Sequence, residues 1–293
     1  MNDRYLSPLH IPEGTSGSWR VRHVKEPAGK KFELASKRCQ LFGNQPAGSM
    51  HWSKETIWHS LQEDGHTWMS DVPCERAQHL RCLKGMRGRI LLGGLGLGLA
   101  ASLLAKRRTV QQIVVVEKQR EVIDLVAPYL HDPAKKISVV EQDLLDYLRE
   151  LAGPPKFDHA FYDIWCSDGE ATFFETVCPL YELSNNRIRQ APVNWNEDVM
   201  RGQLFCSLQQ RLLFDQHKEF MNVGLKPVKQ PCLWEADGTD QPWHNWSVAF
   251  FRWRHERKPT AKQLELAASY YASCYGTWNF SELWQCFLSS ENS

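Results

Sequence analysis

The chain has little of what would classify it at a glance. It carries no surplus of either charge, since 35 basic against 34 acidic residues leave a formal +1 over 293 residues. A general electrostatic hold on nucleic acid is therefore not expected. Its nine cysteines are scattered with no C-x-x-C pair, and an odd number outside any zinc-ligand spacing argues against a disulfide framework and against a metal site. The histidines show no ligand-like spacing either, so no metal is expected. The longest apolar run, 90–105, has 16 residues of which four are glycine, short of the roughly 20 that span a bilayer. The opening MNDRYLSPLHIPEG lacks a basic stretch leading into an apolar core, so no signal peptide and a cytoplasmic location are expected. No internal repeat or low-complexity tract is visible. What is present is ordinary globular composition, 42% apolar and 24% charged, in a chain long enough to bury a large core. Tryptophan is the exception. There are twelve, many of them late in the chain, suited to core and interface packing or to the walls of a pocket for a flat or cationic ligand.

Two regimes of patterning follow one another. Up to about residue 85, short extended stretches (19–24, 31–34, 40–42, 49–52 and 56–58) are separated by Gly, Pro and Asn, which predicts a β-rich section. Helical spacing from Pro73 to Lys84 closes it, with Pro73 suited to a first turn. From Arg89 strands and helices alternate. Strands are expected at 90–92, 112–116, 136–140, 157–164 and 187–194, and helices at 98–106, 120–129, 144–151, 170–183 and 199–220. Repeated βα units require parallel strands with ligands at their carboxyl ends. Residues 227–235 and 247–255 read as an antiparallel hairpin closing the sheet edge, and 260–288 as helical with a break near Gly276. The expected architecture is thus α/β and Rossmann-like, with a C-terminal antiparallel hairpin and a small β-rich N-terminal section. The expected divisions are 1–85, 86–258 and 259–293.

The chemistry concentrates at the strand ends. In RILLGGLGLGLAASLL, Gly94, Gly96 and Gly98 follow the first strand, where a sharp turn and a close ligand approach need residues without Cβ. Glu117 ends the second strand 19 residues after Gly98, placed to accept hydrogen bonds from ribose hydroxyls. Asp143 follows the third strand and either reaches an adenine amino group or caps the helix beside it. Asp163 ends the fourth strand, followed by Trp165, Asp168 and Glu170. These carboxylates are candidates to orient an amine, take its proton or balance a sulfonium charge, with capping of the next helix as the other role for Asp168 and Glu170. After the fifth strand come Asn194, Trp195 and Glu197, candidates for substrate contact. The glycine spacing fits two cofactors. Gly94-x-Gly96-x-Gly98 suits S-adenosylmethionine, and Gly96-x-Gly98-x-x-Ala101 a relaxed NAD fingerprint. The acids after strands three and four and the closing hairpin favour the first.

On the segments LLGGLGLG, VVVEK, VVEQDLLDYL and FDHAFYDIW, residues 88 to about 255 resemble class I S-adenosylmethionine-dependent methyltransferases, most of all the spermidine synthase-like branch. The β-rich lead-in followed by Glu75 and His79 resembles that branch too. The resemblance implies that Gly94, Gly96, Gly98, Glu117, Lys118, Asp143, Leu144 and Asp163 hold S-adenosyl-L-methionine or its decarboxylated form. It places Asp163, with Asp168 and Glu170, at the catalytic edge, and Glu75 and Trp165 against the substrate. Two departures are visible: Pro73 and Cys74 stand where the branch carries Tyr and Gln or His, and Asp163, Asp168 and Glu170 are spaced differently from its acid cluster. The expected activity is transfer, with methyl transfer to a small amine or amino-acid-like molecule first. Aminopropyl or 3-amino-3-carboxypropyl transfer comes second, and a non-catalytic binding protein on the same fold third. A small-molecule substrate is expected and neither membrane nor nucleic acid. The resemblance and the tryptophan-rich tail suggest a homodimer.

Overall fold

A computed structural model describes residues 9–33, 49–166 and 176–200. Expectations for 40–42, 168–175 and everything beyond 200, the hairpin and the C-terminal helix included, lie outside the described residues.

The N-terminal section is an antiparallel sheet in the order β1-β2-β5-β6, formed by β1 (Gly14–Ser16), β2 (Trp19–Glu26), β5 (Thr56–Glu63) and β6 (His66–Ser70). A separate two-stranded ribbon pairs β3 (Lys31–Glu33) with β4 (Ser49–His51). Along β2 the alternation at its start buries Trp19 and Val21 and exposes Arg20 and Arg22, as a half-buried strand requires. The β5–β6 turn is Asp64-Gly65, both at positive φ (46° and 85°), the pair that a two-residue hairpin turn demands. β6 leads directly into α1 (Pro73–Cys82), which has proline in its first turn and Glu75 beside it. Proline there gives up an N–H that would have no intrahelical partner, and the acid meets the positive end of the helix.

The second sheet has five parallel strands in the order β11-β10-β7-β8-β9. They are β7 (Gly88–Gly93), β8 (Val110–Glu117), β9 (Ile137–Glu141), β10 (His159–Tyr162) and β11 (Val193–Asn194). The helices between them are α2 (Leu99–Ala105), α3 (Arg120–Val126), α4 (Leu144–Glu150) and α5 (Cys178–Ser184). Numbered along the parallel sheet this is 3-2-1-4-5, the doubly wound order, in which connections run in opposite directions from β7 and leave a crevice at the carboxyl ends of β7 and β10. Ile90, Leu92, Ile113, Val115 and Phe161 are all at most 2% exposed, the continuous apolar runs of a sheet covered on both faces. These residues share one core with Trp19, Val21 and Leu61 of the N-terminal sheet, and both sheets lie within one compact unit.

Two of the elements that are shorter than expected have a proline at the boundary. The helix after β8 gives way at Ala127–Tyr129 to a 3-10 turn containing Pro128, whose ring nitrogen has no hydrogen to donate to the preceding turn. The fifth strand, expected over 187–194, is only Val193–Asn194, with one bridge between Phe157 and Ile188 before it. Pro192 cannot join the ladder as a donor. Among the described residues no helix is long and apolar enough to cross a membrane.

Candidate functional site

Register carries the site. Asn194, Tyr162, Gly93, Val116 and Val140 form one row across the five strands. The residues that follow them therefore leave the sheet together at its carboxyl edge. Gly94 N–H donates to the Val116 carbonyl at 2.8 Å, Asp163 N–H to Gly93 at 2.9 Å and Trp195 N–H to Tyr162 at 2.9 Å, so this edge is held by backbone bonds before any side chain contributes. The glycine turn, Glu117, Asp143, Asp163 and Trp195, separated widely in sequence, line one cleft.

The glycines have particular reasons to be glycine. Gly94, Gly96 and Gly98 all have positive φ (89°, 50° and 69°), and a Cβ on Gly94 would run into the backbone carbonyl of Asp163. The turn after β7 and the end of β10 thus approach each other where the crevice opens. A Cβ on Gly96 would instead strike the sulfur of Met69, which also accepts the Leu97 N–H at 3.2 Å. The last strand of the N-terminal sheet is in this way latched onto the nucleotide-type turn. Glu117 braces the turn from the other side, its Oε2 accepting Leu95 N–H and its Oε1 accepting Gln119 N–H, each at 2.9 Å. A carboxylate oxygen accepts more than one hydrogen bond, so both remain able to receive hydroxyl donors. Asp143 caps α4, Oδ1 accepting from Leu145 N–H at 2.8 Å and Asp146 N–H at 3.4 Å. That leaves Oδ2 and the Leu144 N–H, which precedes the intrahelical ladder, outside the cap's own hydrogen bonds, and both residues line the cleft. Lys118 also lines the cleft.

The other half is aromatic and acidic. Trp19, Leu61, Trp68 and Met69 come from the N-terminal sheet, Trp165 and Trp195 from the loops after β10 and β11, and Glu75 and Asp163 supply the carboxyls. Trp19 and Trp68 pack with ring centroids 5.4 Å apart. Glu75 Oε2 accepts the N–H of Ser70 at 2.8 Å and also its hydroxyl. Burial pushes the Glu75 carboxyl up to about 7, against the Ser70 hydrogen bond and the charge of His79, which lower it. His79 is 1% exposed. Its Nδ1 is 3.0 Å from the Glu75 carbonyl and its Nε2 is 3.4 Å from Asp163 Oδ2. Burial alone would lower the His79 pKa, but the hydrogen bond and charge of Asp163, helped by Glu75, turn the net shift upward.

Most of the residues singled out in the sequence meet here: Gly94, Gly96, Glu117, Lys118, Asp143, Leu144, Asp163, Glu75, Trp165 and Trp195 all line the cleft. Gly98 sits behind it, its missing Cβ leaving room for Leu130, and begins α2 in the left-handed conformation. Asn194 and Glu197 are not on the cleft wall. Both are buried, Asn194 Nδ2 donating to Glu197 Oε2 at 2.9 Å and the Tyr181 hydroxyl donating to the same carboxylate at 2.8 Å. Asp168 and Glu170 lie outside the described residues. The N-terminal wall, Trp19, Leu61, Trp68 and Met69, was not marked as site in the sequence. Nor was His79 assigned a role, although it lies four residues from Glu75 on one helical face.

No family model matches the chain, and no curated protein matches it. Solved structures do. The chain is similar to a spermidine synthase from Thermotoga maritima, at 14% identity over 61% of this chain and 70% of that one, with a TM-score of 0.37. It is similar to a putative O-methyltransferase from Klebsiella pneumoniae, at 18% identity over 36% of this chain and 46% of that one, with a TM-score of 0.28. A precorrin 8w decarboxylase from Methanobacterium thermoautotrophicum matches at 16% identity over 37% and 53%, also with a TM-score of 0.28. The chain thus spans about half the length of the latter two. The strand order and the glycine turn at its switch point define the class: a Rossmann-like, doubly wound α/β fold.

Proposed function

We propose that the protein is an S-adenosylmethionine-dependent transferase, a methyltransferase acting on a small amine or amino-acid-like acceptor. The observation that carries this is the division of a single cleft into two halves. One presents the glycine turn, Glu117 and the Asp143 cap, and the other presents Glu75 and Asp163 among tryptophans.

The residues present fit the cofactor. Glu117 offers two braced oxygens to ribose hydroxyls, while Asp143 Oδ2 and Leu144 N–H offer an acceptor and a donor side by side, the complement of an adenine edge. Val122 and Leu144 supply apolar wall between them. When bound, S-adenosylmethionine supplies an electrophilic carbon on a sulfonium. The protein's own part is to hold the acceptor. Carboxylates beside indole faces suit a cation, and exclusion of water by the aromatic wall strengthens their pull. Fixing the acceptor's orientation in such a wall is the main contribution expected for a group transfer of this kind.

Calorimetry with S-adenosylmethionine and S-adenosylhomocysteine tests the reading. Binding is expected for the wild type, and Glu117→Ala should weaken it by tenfold or more, because the brace of the glycine turn and the ribose acceptor are lost together. Absence of binding to either compound in the wild type would sink the proposal. Product analysis then identifies the transferred group: S-adenosylhomocysteine marks methyl transfer, and methylthioadenosine marks an aminopropyl or 3-amino-3-carboxypropyl transferase.

A further inference from the structure

Two carboxyls face the acceptor half of the cleft, and the structure treats them differently. Asp163 is held at both ends. Its backbone N–H is bonded to the Gly93 carbonyl, its carbonyl oxygen fills the space beside Gly94, and its Oδ2 lies 3.4 Å from His79 Nε2. The Glu75 carboxyl meets uncharged donors instead. Oε2 receives the N–H and the hydroxyl of Ser70, while Oε1 has no hydrogen-bond partner among the described residues and belongs to a side chain on the cleft wall.

His79 sets this difference. Its two ring nitrogens both face acceptors, Nδ1 the Glu75 carbonyl oxygen and Nε2 the Asp163 carboxylate. A neutral imidazole has one donor nitrogen and one acceptor nitrogen, so it would set a lone pair against one of these oxygens. Only the imidazolium satisfies both. The ring is fixed there by burial and by the Phe161 ring, at a centroid distance of 5.6 Å. The Asp163 carboxylate therefore has a cation as its side-chain partner, whereas the Glu75 carboxyl has the uncharged Ser70 as its hydrogen-bond donor.

We propose that Glu75, not Asp163, takes the proton of the acceptor amine, and that His79 is the positioning residue that assigns the two carboxyls to these separate tasks. The inference rests on reading the cleft as an amine-accepting transferase site. In the step, an N–H bond of the bound ammonium breaks, its electron pair stays on nitrogen, and the proton moves to Glu75 Oε1, leaving a neutral carboxyl still hydrogen-bonded through Oε2 to Ser70. Asp163 stays paired with His79 at the cleft wall. The groups acting on Glu75 are His79 from its own helix, Asp163 from the end of β10 and the uncharged Ser70 from β6. A carboxyl raised to about 7 by burial is suited to a proton acceptor working near neutral pH.

Carboxyl 13C NMR of the full-length protein, with the Glu75 signal identified by its loss in Glu75→Gln, tests the assignment without any acceptor. The Glu75 midpoint is expected near pH 7, moving up in His79→Gln, which removes a positive charge, and down in Asp163→Asn, which removes a negative one. A midpoint near the ordinary 4.3 of glutamate, or one that neither variant moves, would overturn the proposal. Turnover with S-adenosylmethionine and a panel of small primary amines, putrescine among them, gives the second arm. Glu75→Gln should lower kcat by about 10²-fold or more and erase the rise in rate near pH 7, whereas Asp163→Asn should mainly raise KM for the amine. The reverse pattern would overturn the assignment. Failure of wild-type calorimetric binding to S-adenosylmethionine would overturn the transferase reading and the catalytic role with it, while the titration still reports whether His79 sets the two carboxyls apart.

Discussion

Glu75 shows how one residue's surroundings reach the stability of the whole chain. Folded, its carboxyl keeps a proton up to about pH 7 because burial disfavours the charge. Unfolded, it releases the proton near the ordinary glutamate value. Between those two pH values the folded state holds more protons, so this group's contribution to stability is fully present below about pH 4.5 and is lost as pH rises to 7 and beyond. The amount is at most about 4 kcal/mol, since each pKa unit corresponds to about 1.4 kcal/mol. Replacing Glu75 with Gln should therefore help the protein more at pH 8 than at pH 5 relative to wild type, as read by urea midpoints at the two pH values. His79 has the same sign for the opposite chemistry. Its raised pKa means that the stability from its pairing with Asp163 is present at low pH and is lost as pH rises through the folded value.

Elements have separable duties at the carboxyl edge. In the glycine turn, an alanine at Gly94 meets two obstacles, a φ of 89° and the Asp163 backbone carbonyl. Backbone cannot swing aside, and strain of this kind costs about 1–3 kcal/mol before the clash is counted. Gly96→Ala meets the end of the Met69 side chain instead. We expect Gly94→Ala to lower the melting temperature more than Gly96→Ala, and Met69→Ala to relieve part of the Gly96→Ala loss while doing nothing for Gly94→Ala. At the start of α4, Asp143 is both a helix cap and a cofactor contact candidate. Asp143→Asn retains a capping oxygen and should preserve thermal stability while weakening S-adenosylmethionine binding. Asp143→Ala should lose both, with about 1 kcal/mol from the cap. If both variants bind as wild type does, Asp143 is a cap alone. β6, made by the Asp64-Gly65 turn, was not among the expected strands, because it has no clean alternation to announce it: His66, Thr67, Trp68, Met69 and Ser70 grade from exposed to buried.

At the scale of the molecule, the N-terminal sheet and the parallel sheet share a core and build the cleft jointly. Trp19 is 4% exposed, packs on Trp68 and lines the cleft, so Trp19→Ala should cost about 3–5 kcal/mol and weaken ligand binding together. Retained binding with an unchanged melting temperature would show the N-terminal sheet to be a bystander. The Met69 sulfur on the Leu97 N–H makes the same point at short range, since the turn that defines the fold is completed by a residue of the other sheet.

Sequence by itself determined the parallel sheet and its functional edge. The β-branched run of β8, the glycines after β7 and the acids at Glu117, Asp143 and Asp163 report local needs, namely burial on both faces, positive φ and polar ends, and local needs are written in neighbouring residues. Tertiary structure decided which acids meet in the cleft and which aromatics form the wall. Glu75 and Asp163 are 88 residues apart, and buried His79 meets the backbone carbonyl of one and the carboxylate of the other. Asn194 and Glu197 look as available as Trp195 in the string, but one register row turns Trp195 to the cleft and leaves the other two bonded to each other and to Tyr181. Burial, desolvation and the direction of a side chain are properties of the packed whole, and no spacing within a segment encodes them.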